Sequence, residues 1–266
     1  NNSALLDDSN NSFSIIAAPT NTFDIKFDYR FDDGWFTSAR KAALEAAANI
    51  WENMILDEFE DTPVGTVTPY VTNPQTGVSE SFTTDVLIDD LLIFVGAREL
   101  GGSILGLAGP SGYYTNETRY TGDDFEPWIG SIAFDTTTNW YFDSTPLISD
   151  EISSGQSDFV SVAVHEIGHV LGIGASHAFD NLVVPDNGNY YFVGTNATAQ
   201  NGGYSMPLAP DQSHIEDGHD QYGVTGEAAM DPTLTIGTRK LVTKLDAALL
   251  DDIGYDINYS KTYQNA

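Results

Sequence analysis

The sequence predicts an α+β fold on one mixed, twisted sheet, with one helix in the middle of the chain and another near its end. Three observations predict it. Phe23, Ile25, Phe27, Tyr29 and Phe31 alternate with Asp24, Lys26, Asp28 and Arg30, the period of two that marks a half-buried strand. The segment FTSARKAALEAAANIWENMI then sets Ala47, Ile50, Trp51, Met54 and Ile55 at helical spacing in an alanine-rich context. The unbroken apolar run LLIFVGA, 91–97, has the character of a strand buried on both faces. Strands and helices mixed in this order fit one sheet with helices packed against it.

Taken in order, residues 1–20 read as a polar, irregular segment, and 21–266 as one domain with a first part over about 21–172 and a second over about 173–266. DDGW turns the chain after the first strand. TVTPYVT is a candidate strand. GGSILGLAGPSG reads as a glycine-rich loop, and without a following Lys it is no phosphate cradle. IGSIAF, 129–134, is another strand, with NWYF beyond it. A helix starts near Ser157 or Asp158 and runs through FVSVAVHEIGHVLG. Residues 178–229 are rich in Gly, Asn, Asp and Pro. They form a connection too long to be idle, so they are functional or carry structure of their own. Thr243 and Asp246 have capping-box spacing, Leu245, Leu249 and Ile253 make a stripe, and Gly254 stands at a C-cap.

Composition bounds the function. The 266 residues suffice for a full core without staples, and there is no cysteine for a disulfide or a thiolate metal site. A formal charge of −29 disfavours nucleic acid and anionic membranes as partners. No apolar run is long enough to span a bilayer. The opening NNSALLDDSNNS reads as the start of a mature product, so a secreted, extracellular monomer is the expectation.

The chemistry lies in HEIGHVLGIGASH, 165–177. Residues four apart on a helix share a face, so His165 and His169 can reach one ion through their rings. Two imidazoles at ligand spacing within an apolar helix would be costly to bury without such a partner. Zinc at that site keeps an open position for water, and Glu166 is placed to accept the water's proton as general base. A third ligand is needed, and His177, His214 and His219 are the candidates downstream.

These residues resemble the metzincin metallopeptidases, most closely the matrixin branch, whose pattern is H-E-x-x-H-x-x-G-x-x-H followed by a Met-turn. His165, Glu166, His169 and Gly172 match it, and AAMDP is similar to the Met-turn, with Met230 beneath the metal. IGSIAFDTTTNWYF and LVTKLDAALLDDIGY are similar to the family's last sheet strand and terminal helix. The chain departs at 175, where Ala replaces the third His. Leishmanolysin-like members carry a long insertion there and regain the His ahead of the Met-turn. On that likeness His214 is the preferred third ligand, with His177 the alternative. The resemblance implies a matrixin-like catalytic domain and a zinc-dependent endopeptidase that binds its peptide along an edge strand within 100–130. It also implies structural calcium near Asp123, Asp124, Glu126 and Asp135, though carboxylates on a solvated face explain those residues too. The rival reading is a metzincin-shaped surface or adhesion protein that binds metal with little or no peptidase activity.

Overall fold

The computed structural model describes residues 23–112, 118–148, 152–219 and 226–264. The expected irregular segment 1–20 lies outside them. The first half supplies β1 (Ile25–Asp28), α1 (Ser38–Glu52), β2 (Tyr70–Thr72), β3 (Ser79–Ser81), β4 (Leu91–Arg98), β5 (Gly106–Ser111), α2 (Thr118–Thr121) and β6 (Ile129–Asp135). The second supplies β7 (Trp140–Tyr141), β8 (Ser157–Asp158), α3 (Phe159–Val170), α4 (His177–Asp180), β9 (Val183–Asp186), β10 (Asn189–Phe192), α5 (Thr195–Gln200), β11 (Met206–Leu208) and α6 (Lys244–Asp251).

The main sheet is mixed, with strand order β1-β4-β6-β5. β4 pairs in parallel with β1 and β6, while β5 runs antiparallel to β6 along the edge. β4 and β6 are the apolar runs of the sequence, and both are buried almost end to end, as central strands covered on both faces must be. The glycine-rich stretch 101–112 departs from its reading as a loop. Its second half is β5, in register from Gly106↔Phe134 to Ser111↔Ile129. Pairing with an already formed neighbour outweighs the weak strand propensity of GLAGPS.

α1 and α3 pack against each other under this sheet, fixed by a hydrogen bond from Trp51 Nε1 to the Val164 carbonyl at 3.0 Å. α3 begins where the sequence placed it. Asp158 is its N-cap, accepting from the Ser161 amide, and the same carboxylate is gripped by two guanidinium nitrogens of Arg239 at 2.9 Å. Arg239 also binds Asp143 at 2.8 Å, so one cation joins the start of α3 to the chain on both sides of it. One hydrophobic core runs from Phe23 to Tyr255 and includes the apolar faces of α1, α3 and α6.

The long polar segment after α3 has structure of its own. β9 and β10 form a hairpin that closes at Asp186↔Asn189, and β11 pairs with β10 to complete a second, three-stranded sheet. The two loop residues, Asn187 and Gly188, both have positive φ (50° and 90°), as a type I′ turn demands. Asp252, just beyond α6, accepts from the Asn196 and Ala197 amides and fastens α5 to the end of the molecule.

Candidate metal centre

α3 is buried on nearly every side; His169 is buried with it and His165 is half-buried. Each ring is aimed by its Nδ1. His165 Nδ1 meets the Ala229 carbonyl and His169 Nδ1 the Ile173 carbonyl, both at 2.8 Å. The third ring is His214, whose Nδ1 lies 2.8 Å from Asp211 Oδ2. Carbonyls and ionised carboxylates only accept, so all three Nδ1 atoms donate, and in the neutral rings each Nε2 then carries a bare lone pair.

Those lone pairs converge. The Nε2 atoms of His165, His169 and His214 stand 3.1, 3.1 and 3.2 Å apart. Without protons between them they cannot hydrogen-bond to one another, and packed so closely they repel unless a cation lies among them. Tetrahedral coordination at Zn–N distances of ~2.0–2.1 Å would hold nitrogens about 3.3 Å apart, so the donor set fits zinc by type and by spacing. Burial adds to the fit. It drives the His165 pKa well below its ordinary value and that of His169 to about 4, with the neighbouring rings adding to the shift, so both are neutral ligands at neutral pH.

His177 is elsewhere. It opens α4 behind the N-cap Ser176 and is exposed. His219 turns to Asn201 Oδ1 at 2.8 Å. Among the described residues, His165, His169 and His214 alone converge in a way that could hold a metal. The chain reaches this arrangement by leaving α3 through Gly172 and Gly174. Gly174 has φ +64°, and a Cβ there would collide with the Ser213 backbone. The segment bearing His214 therefore lies directly on Gly174, and the Leu208↔Ile215 bridge and the Ile215 amide on the Met230 carbonyl (3.0 Å) hold it there.

Glu166 sits on the same helix, buried, with its carboxyl against β5. A Cβ at Gly106 would overlap that carboxyl. Burial pushes its pKa up to about 8. Met230 is fully buried under α3, and its Sδ would lie 2.5 Å from a Cβ at Gly168. The sequence read Asp246 as a capping-box partner of Thr243, and it fills that role. The structure gives it a second role that capping chemistry does not announce. Its fully buried carboxylate also accepts from the Ala229 and Met230 amides at 3.0 and 2.8 Å. The carbonyl of that same Ala229 orients His165.

The four carboxylates expected to bind calcium do not assemble. Asp135 accepts from the Leu100 amide and from the amide and hydroxyls of Thr137 and Thr138. Burial alone would raise its pKa, but these donors prevail and hold it at about 2. Its oxygens are thus engaged by protein donors rather than turned to an ion. Glu126 faces Arg119 at 3.5 Å, and Asp123 and Asp124 are exposed.

Residues 111–193 match the family model described as Matrixin. A stretch of 61 residues, 23% of this chain, is 43% identical to metalloendoproteinase 4-MMP of Arabidopsis thaliana and covers 17% of that protein. The chain thus spans well under two thirds of the curated relative it matches. The family match takes in β6, all of α3 and the β9–β10 hairpin and ends just beyond β10, ahead of His214 and Met230. His165, Glu166 and His169 lie inside the matched segment, and over that segment the chain is similar to the matrixins.

Proposed function

We propose that the chain is a secreted zinc endopeptidase whose metal is held by His165, His169 and His214. The observation that carries this reading is the convergence of three bare Nε2 atoms beside a buried carboxyl on the same helix. Zinc bound there supplies Lewis acidity and makes hydroxide available near neutral pH. Glu166 would accept the water's proton and pass it to the leaving amine; burial favours its neutral form in the metal-free site, and the charge of a bound zinc would favour the carboxylate that a base needs. The three Nδ1 acceptors hold the ligand rings still while this occurs. The peptide lies along β5, which is the outer strand of the main sheet next to Glu166, and adds to it as a further strand. Asp246 and Met230 form the floor under the rings.

The test is zinc content together with casein cleavage. The parent protein should take up one zinc, cleave casein, lose activity to 1,10-phenanthroline and regain it with zinc. Glu166→Gln should keep the zinc and lose at least ~10²-fold in activity, the usual scale of a lost general base. A zinc-loaded parent that leaves casein and other unfolded proteins intact would favour the metal-binding adhesion role instead.

A further inference from the structure

The three metal-facing rings are oriented by unlike partners. Behind His165 and His169 stand neutral backbone carbonyls deep in the core, and both rings issue from a rigid helix. His214 has neither support. It sits in a connection, its side chain is about 20% exposed, and its Nδ1 meets the carboxylate of Asp211. Around that contact the chain forms a small closed turn. Asp211 Oδ1 accepts from the Ser213 amide at 3.0 Å, Gln212 takes a left-handed φ of 65°, and the Ala209 amide returns to the His214 carbonyl at 2.9 Å. One carboxylate thus shapes the turn with one oxygen and aims the ring with the other.

We propose that Asp211 is the positioning residue of the third metal ligand. It fixes the His214 proton on Nδ1, keeps Nε2 bare and directed at the other two nitrogens, and sets a negative charge behind the one ring that no helix holds. The inference rests on the metal-centre reading given above. The competing description is an exposed ion pair at i,i+3 spacing, worth little to anything. The two differ in what removal does. Loss of a carboxylate that orients a ligating histidine costs ~10–100-fold in metal affinity, whereas loss of a surface pair leaves affinity alone.

The experiment compares the full chain with Asp211→Ala and Asp211→Asn, each purified, stripped and titrated with zinc against a chromophoric chelator. Both variants should still take up one zinc. Asp211→Ala should bind it about 10–100-fold more weakly. Asp211→Asn should recover part of that loss, because its single amide oxygen can still accept from Nδ1, though it carries no charge and its NH2 cannot accept from Ser213. Imidazole ¹⁵N spectra of the metal-free proteins give a readout that plain stability would not move: His214 should be protonated at Nδ1 in the parent and exchange between both nitrogens in Asp211→Ala. Parent-like zinc affinity and an unchanged His214 signature in Asp211→Ala would overturn the proposal while leaving the three-histidine site standing. A parent that binds no zinc would remove the site and the proposal together.

Discussion

His165 and His169 announce themselves because a helix repeats its face every three to four residues, and Glu166 comes with them. Nothing comparable announces His214. It is forty-five residues beyond His169, and no local period joins the two. Its selection over His177 rested on family likeness and on the position of AAMDP, and the geometry now gives a physical reason. His177 opens a helix that leaves it exposed, whereas the Gly174–Ser213 contact delivers the 209–215 turn to the side of α3 that carries His165 and His169. Asp211 was not legible, since an Asp three residues before a His is ordinary in a polar loop. At this scale the prediction is a paired one. His214→Ala should lose most bound zinc and nearly all activity, because two rings one turn apart hold zinc weakly. His177→Ala should keep both, since an exposed substitution usually costs less than ~0.5 kcal/mol. Zinc content of the two purified variants, side by side, checks it, and the reverse pattern would dismiss His214.

At the scale of elements, the strongly periodic segments were legible and the weakly periodic ones were not. α1, β1, β4, β6, α3 and α6 all lie where the apolar spacing put them. β5 was hidden because GLAGPS lacks the β-branched residues that mark strands; its conformation is imposed by β6. The hairpin in the insertion left a signal that composition obscured: VVPD and NYYF flank Asn187-Gly188, the dipeptide that fits a two-residue I′ turn. Packing between elements yields a prediction against helix propensity. Alanine is ordinarily better than glycine inside a helix by ~0.8–1 kcal/mol. At Gly168, however, a Cβ would stand 2.5 Å from Met230 Sδ and 3.4 Å from Trp51 Cζ2, so the fully buried Met230 side chain would have to shift. Gly168→Ala should therefore destabilise the protein, by about 1–3 kcal/mol in urea denaturation, as overpacking does. Adding Met230→Ala should cost less in that background than in the parent, because the two side chains compete for one space. A more stable Gly168→Ala would mean that Met230 does not occupy that place.

Over the whole molecule the charge balance sets how stability depends on pH, and buried groups pull in opposite directions. Burial lifts the carboxyl pKa values of Glu166 to about 8, Glu52 to about 7 and Asp57 to about 6. In the unfolded chain these groups titrate near 4, so the folded state holds more protons between those limits and loses stability as pH rises through them. His165 and His169 have folded pKa values below the ordinary 6.5, so their contribution is intact above 6.5 and is lost as pH falls toward 4. The three carboxyls outnumber the two histidines, so the metal-free protein should gain stability from pH 8.5 down to about 5 and lose it in stronger acid, with the −29 formal charge adding self-repulsion on the alkaline side. Glu52 offers the clean check, because it lies at β1, away from the histidines. Its Oε1 accepts from the Ile25 amide at 2.8 Å, a bond that a glutamine oxygen can still make. Glu52→Gln should raise the metal-free melting temperature at pH 8.5 and leave it near the parent value at pH 5. Because the group is partly solvated, screening limits the gain to at most about 2–4 °C. Melting curves of both proteins across pH 5–8.5 measure this, and an unchanged or lower value for Glu52→Gln at pH 8.5 would show that the half-buried Glu52 carboxylate does not oppose folding there.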